Sequence, residues 1–435
     1  MYDISTFCLR FFNLRERGDG DERTQEFFTL ASTETEPNDD PSNATNITIG
    51  NWIEGNIGTA EDEDWYYFYS DDFGKLTVYL ENIPSGCDYD VYFYKLEDTT
   101  LSLESYSLYN GDHYEVLSHE DAEGFYFIRI VTYTGYNPSE NYRLYTHYSY
   151  SYDNYEPNDS LHFAYQLTPG DTQHTATLDN EYDHDWYVLD INSGDKIFID
   201  LYSLPDDYDL FLYDDSGVFV DRSINGQTSA ERIAYTANST GTYRILVNNY
   251  SWSNGTAQYK LGVTKVSSPV GIIPVSVQAV ADEEFRTRYG DNWQNRITEL
   301  VSQAGEGFES DFGIQYNVNY YVAWDSDNSL TTLSELLQEA IVETTAPEQV
   351  KMVFTTQTTS DGYVGLVPYA GADEMIVKDT EYFEFDWDTT RHEASHVYYC
   401  THDGHPEDTH CILNQIIEYW DVLCVNDIYN NKNKY

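Results

Sequence analysis

The run Arg391-His392-Glu393-Ala394-Ser395-His396 is the segment of the chain best equipped for chemistry. On an α-helix, positions i and i+4 share a face, so His392 and His396 can point imidazole nitrogens at one ion. Glu393 stands beside them, placed to take a proton from ion-bound water. A catalytic zinc takes a third protein ligand and keeps one position open for water. His402 lies six residues past His396, the third-ligand spacing of the extended form of this motif, and Asp403 follows it. Five of the eleven histidines fall between positions 392 and 410, which a merely His-rich surface helix and loop would also produce.

Elements must hold these groups in place. From about Ile272 the sequence alternates strand and helix. Ile273–Ala281 reads as a strand, and Glu283–Phe312 as a helix, amphipathic over Trp293–Ala304 and stopped at Gly313. Ile314–Trp324 is a strand, Ser329–Thr344 an amphipathic helix and Val350–Thr356 a third strand. Short strands at Gly362–Val367 and Glu374–Lys378 flank a Gly-containing turn, and Asp388 is placed to cap a helix holding the histidine run. This alternation predicts an α/β sheet with helices packed on it.

The first 265 residues have a different organisation, an internal repeat. Glu36-Pro37-Asn38-Asp39 recurs as Glu156-Pro157-Asn158-Asp159, a shift of 120. Asp64-Trp65-Tyr66 recurs as Asp185-Trp186-Tyr187, a shift of 121, and Asp88-Tyr89-Asp90-Val91-Tyr92 as Asp207-Tyr208-Asp209-Leu210-Phe211, a shift of 119. Gly124-Phe125-Tyr126 matches Gly241-Thr242-Tyr243. Each unit consists of short β-branched and aromatic runs broken by Gly, Asn, Asp and Ser, the pattern of a β-sandwich. The repeated acidic turns have two readings. Asp and Asn cap turns and keep a surface soluble, and clustered carboxylate and carbonyl oxygens also suit calcium.

These motifs resemble two known families. The repeat landmarks resemble the bacterial pre-peptidase C-terminal (PPC) domain, with Val91 and Phe125 as the departures in the first copy. That resemblance covers residues 34–148 and 154–264 and implies two jelly-roll-like sandwiches attached to a secreted hydrolase. By analogy with related collagen-binding modules, calcium would sit at Glu34, Glu36, Asn38, Asp39, Asp62 and Asp64, and again at Glu156, Asn158, Asp159, Asp183 and Asp185. Residues 392–403 resemble the metzincin metallopeptidases, which implies a zincin-like α/β (α+β) catalytic domain over 270–435. In that reading His392, His396 and His402 are zinc ligands and Glu393 is the general base. The Gly362–Val367 strand is the sheet edge that binds extended substrate, and Cys411-Ile412-Leu413-Asn414 takes the place of the family's Cys-x-Met turn. Two departures stand out. Leu413 replaces the Met, and Tyr399 replaces a Gly that permits a left-handed turn toward the third ligand. Tyr in that turn costs about 1–2 kcal/mol. Otherwise the chain bends differently and Asp403, His405, His410 or Glu418 ligates instead.

Five cysteines are present. Cys411 and Cys424 are placed to form a disulfide bracing the turn and the last helix, with Cys400 the competing partner; Cys8 lies in the leader, residues 1–33, which has no structural assignment.

Composition bounds what remains. Lys and Arg number 22 and Asp and Glu 76, a formal charge of −54. Such a charge repels polyanions and excludes nucleic acid as a partner. Hydrophobic residues make up 40% and aromatic residues 16%, enough for several cores rather than a disordered acidic chain. No apolar stretch reaches the ~18 residues of a membrane span. The expectation is therefore a secreted or cell-surface monomer, a zinc endopeptidase acting on protein or peptide, with calcium as a further cation. Its rival is a surface adhesion protein with a degenerate zincin domain.

Overall fold

The computed structural model describes residues 32–402 and 420–435, except 72, 122, 171–172, 251–256, 268–270 and 345–348. Cys8, Asp403, His405, His410, Cys411, Leu413 and Glu418 lie outside the described residues.

Both repeats fold as two facing sheets. In the first, one sheet runs Thr45–Asn46, Glu63–Ser70, Gly124–Thr134, Asp88–Glu97, Thr100–Ser107. In the second, the corresponding sheet runs Tyr165–Gln166, His184–Ile191, Gly241–Asn249, Tyr208–Tyr213, Phe219–Ser223, the same order. The facing sheets also agree: Ile53–Gly55, Tyr142–Ser149, Gly74–Glu81, Glu115–Asp121 corresponds to His174–Ala176, Tyr259–Val266, Lys196–Tyr202, Glu231–Thr236. Ser32–Thr33, which the sequence left unassigned, adds a short parallel strand beside Ile53–Glu54.

The Asp-Trp-Tyr motif reads out the strand alternation. Tyr66 and Tyr187 point inward, where their hydroxyls meet those of Tyr142 and Tyr259 at 2.5 and 2.8 Å. Trp65 faces the other way, against Phe127 and Tyr94, under the Arg129 guanidinium. A second repeated device went unread in the sequence. Ser107 donates to the buried Glu115, and Ser223 donates to the buried Glu231, 116 residues further on.

The C-terminal sheet has five strands: β1 (Ile273–Ala281), β2 (Ile314–Ala323), β3 (Val350–Thr355), β4 (Gly365–Leu366) and β5 (Glu374–Lys378), in the order β2-β1-β3-β5-β4. All pairs are parallel except β4 with β5. A mostly parallel sheet is buried on both faces. On one side Val275, Val277 and Ala279 pack against Leu300, Val301 and Phe308 of helix α2 (Trp293–Phe312) and Ala394 and Val397 of helix α4 (Phe383–Val397). On the other, Val280, Val353 and Ile376 meet Leu333, Leu336 and Leu337 of helix α3 (Leu333–Glu343). Helix α3 opens on a capping box of Thr332 and Glu335.

Two local expectations are corrected. The helix read across Glu283–Phe312 is two: α1 (Glu283–Tyr289), capped by Asp282, then a 3-10 turn at Gly290–Asn292, then α2. Asp388 does not cap α4; the helix begins five residues earlier, at Phe383, and Asp388 is a buried interior residue. The strand read at Gly362–Val367 is shorter, Gly365–Leu366, but it is the antiparallel edge.

Candidate metal centre

Helix α4 carries the histidine run, and three anchors fix it. At its start Asp386 accepts from the Thr380 amide at 2.8 Å and from Arg296 of α2 at 2.6 Å; Arg296 also holds Asp379 at 2.8 Å. Burial pushes the Asp386 carboxyl up to about 6. At mid-helix the buried Arg391 donates to the α2 carbonyls of Ala304 and Gln303 at 3.0 and 2.9 Å, with its guanidinium over Trp387 and Trp420. Below the histidines, the Trp420 indole donates to Ser395 Oγ at 2.7 Å, and Ser395 Oγ donates to the Arg391 carbonyl at 2.8 Å.

On this helix His392 Nε2 and His396 Nε2 lie 3.2 Å apart. The other nitrogen of His396, Nδ1, is 2.7 Å from the Cys400 carbonyl oxygen. A carbonyl only accepts, so Nδ1 carries the proton and Nε2 presents a lone pair. The His402 ring stands 5.0 Å from His392 and 4.9 Å from His396, between centroids. One nitrogen from each of the three lies within 4.8 Å of the others. Three imidazoles converging in this way could hold a metal ion, and nitrogen donors of this kind suit zinc.

The chain reaches His402 through the turn expected of a glycine. Tyr399 has φ +73°. Its ring packs on Gly371, where a Cβ would fall 2.4 Å from Tyr399 Cε1, and the Lys434 ammonium lies over the same ring at 5.7 Å. These contacts offset the roughly 1–2 kcal/mol of left-handed strain. Of the two possibilities left open for Tyr399, the turn is kept.

Glu393 is buried beside the histidines, and that burial raises its carboxyl to about 8. A cation among the histidines would draw it back down. The edge strand β4 presses on it: a Cβ at Gly365 would sit 2.4 Å from Glu393 Oε1. The sequence named the Gly362–Val367 edge and the run opening at Arg391, but not the contact of Gly365 with Glu393, nor the supporting roles of Arg391, Gly371 and the Cys400 carbonyl. Only the glycines of the 362–371 segment hinted at two of these, Gly365 and Gly371.

The Cys411–Cys424 disulfide expectation falls on residues outside the described set at Cys411. Cys424 is buried on helix α5 (Val422–Asn431), and the competing Cys400 has its Sγ 3.7 Å from the Cys424 carbonyl oxygen.

The acidic clusters diverge between the sandwiches. In the first, Glu34, Glu36 and Asp64 converge. Asn38 lies beside Glu34, and Asp39 adjoins Asp62, raising the Asp62 carboxyl further above what burial alone does. Protein donors already serve this group: Glu34 accepts from the Asn56 amide at 2.6 Å and from Tyr66 Oη at 2.7 Å, and Asp64 accepts from Tyr142. Burial pushes Asp64 up to about 9. The proximity of these carboxylates is all that speaks for calcium there.

In the second sandwich Asp185 accepts from Tyr259 and lies against Asn158. Glu156, Asp159 and Asp183, joined by Asp179, instead surround Lys75 of the first sandwich. At these three positions the calcium expectation is corrected: an ammonium stands where the ion was placed. Asp179 was not among the residues singled out, because its counterpart in the first repeat is Gly58.

Family models match a stretch of the C-terminal domain and a stretch of the second sandwich. Residues 274–427 match the family described as metallo-peptidase family M12, and residues 183–249 match the bacterial pre-peptidase C-terminal domain. Among solved structures, the pre-peptidase C-terminal domain of collagenase from Bacillus anthracis is similar at 17% identity, over 24% of this chain and 93% of that one, with a TM-score of 0.20. Archaemetzincin from Methanopyrus kandleri is similar at 15% identity, over 37% of this chain and 89% of that one, with a TM-score of 0.24.

Proposed function

We propose that the chain is an exported zinc-dependent endopeptidase, its C-terminal domain catalytic and its two sandwiches accessory. The observation that carries this reading is the meeting of three imidazoles, a buried carboxylate and an antiparallel sheet edge at one place. His392, His396 and His402 would hold the ion, His396 fixed in its tautomer by the Cys400 carbonyl. Zinc, when bound, acidifies a water and polarises a carbonyl. Glu393 is placed to accept a proton from a water at the site and to return it to the leaving amine. Gly365–Leu366 offers main-chain groups to an extended peptide, the usual mode of strand addition. Because Gly365 abuts Glu393, a peptide paired there brings its backbone close to the base.

Among the described residues no helix is long and apolar enough to cross a membrane. Export belongs to the same proposal, supported by the match to a bacterial pre-peptidase domain over residues 183–249; so does a monomeric state, which a charge of −54 favours through repulsion between copies.

Purified chain is expected to contain one zinc and to cleave quenched fluorogenic peptides internally, with activity lost to a chelator and restored by zinc. One zinc with no cleavage of any peptide in a broad library contradicts the enzymatic reading and favours a binding protein.

A further inference from the structure

Lys75 is an unusual lysine. It is the second residue of the strand Gly74–Glu81 and is fully buried. Its ammonium lies 2.6 Å from Asp179, 2.7 Å from Glu156, 2.8 Å from Asp183 and 3.5 Å from Asp159, and all four side chains are completely buried. Four carboxylates converging on one point are more than a single ammonium needs. They form the kind of oxygen cage that suits a divalent ion, for which calcium takes oxygens at about 2.3–2.6 Å. One oxygen each from Glu156, Asp179 and Asp183 lies within 4.8 Å of the others.

The cage is shared between domains. The carboxylates belong to the second sandwich and the cation to the first. Around it Asn180 donates to Thr77 at 3.1 Å, and Tyr182 packs on Trp52, Tyr79 and Tyr145 at centroid distances of 5.9, 4.6 and 4.9 Å. Lys75, Thr77 and Tyr79 alternate along one strand, so one face of that strand docks on the second sandwich. The repeat uses the same face again. Lys196, 121 residues later, reaches Asp311 of α2 at 2.6 Å; Phe198 joins the C-terminal core; and Asp200 accepts from the Val422 amide at 2.6 Å. Each sandwich thus grips the next domain with the same strand. At the first junction the next domain is another sandwich, whose acidic turns and Asp179 place four carboxylates around Lys75; at the second, Lys196 meets Asp311 of a helix.

We propose that Lys75 is the resident cation of the second sandwich: an ammonium delivered by the first sandwich fills a cage fit for a divalent ion, locking the two sandwiches together without metal there. Removing the ammonium opens the cage. Calcium bound by chelator-treated, full-length protein is counted by equilibrium dialysis with metal analysis. Lys75→Met is expected to bind one more calcium per chain than wild type, and Lys75→Met with Asp183→Asn to lose it again. In calcium-free buffer Lys75→Met is expected to melt lower than wild type, with calcium restoring the difference. An unchanged count in Lys75→Met overturns the proposal. Asp183→Asn alone, in a chain that keeps Lys75, tests it even if Lys75→Met fails to fold. Its count is expected to equal that of wild type, and a fall of one calcium would show that a metal, not Lys75, occupies the cage.

Discussion

At the scale of single residues, the site depends on two positions whose side-chain size is constrained by backbone geometry. Tyr399 holds the left-handed turn that brings His402 back to its partners. Tyr399→Gly relieves about 1–2 kcal/mol of strain while losing the packing on Gly371, so zinc affinity should change less than about tenfold. Tyr399→Val loses the same packing and places a β-branched residue at positive φ; zinc affinity should fall more than about tenfold in competition with a chromophoric chelator. Gly365 has the opposite constraint. A methyl there meets Glu393, so Gly365→Ala is expected to lower kcat/KM by at least tenfold with zinc content unchanged. The histidine positions were legible because helical spacing alone brings His392 and His396 together. The supporting groups were not, since a carbonyl such as that of Cys400 carries no side-chain signature.

At the scale of elements, the helix carrying the histidines is positioned by charge as much as by packing. Arg296 is the common partner of Asp379 and Asp386, whose side chains are fully buried. Removing one partner of a buried ion pair typically costs about 3–5 kcal/mol, because the other charge remains uncompensated. Arg296→Met is therefore expected to destabilise the C-terminal domain by about 3 kcal/mol, read as an earlier denaturant transition of that domain. The strands of this domain were legible from their apolar runs; Glu374–Lys378 appears with the bounds read from sequence. The start of α4 was not. Asp388 looked like a cap, but the helix gains its first turn from Phe383 packing under Arg296 and from Asp386 reaching back to Thr380, contacts made across the fold.

At the scale of the whole molecule, the repeat was legible because its landmarks are core and turn residues. The junction between the sandwiches was not, because Asp179 has only Gly58 as its counterpart, and the repeat of Lys75 as Lys196 does not say what either lysine faces. The charge of −54 should also govern stability. Burial raises Glu115 to about 9 and Glu231 to about 7, both above their ordinary value of 4.5. Between about pH 4.5 and its raised value each holds its proton in the fold and loses it on unfolding, so the folded chain binds more protons there. Their contribution is fully present below about pH 4.5 and is lost as pH rises through 7 and then 9. Self-repulsion acts in the same direction. The melting temperature is thus expected to be higher at about pH 6 than at about pH 9, and added monovalent salt should narrow the gap; an unchanged or rising melting temperature between those pH values would contradict the buried-carboxyl account. The claim that the assembled chain is a zinc peptidase is tested most directly by measuring zinc content and peptide cleavage together in the wild type and Glu393→Ala. The account predicts one zinc in each and at least a hundredfold loss of cleavage in the variant, whereas undiminished cleavage by Glu393→Ala would contradict it.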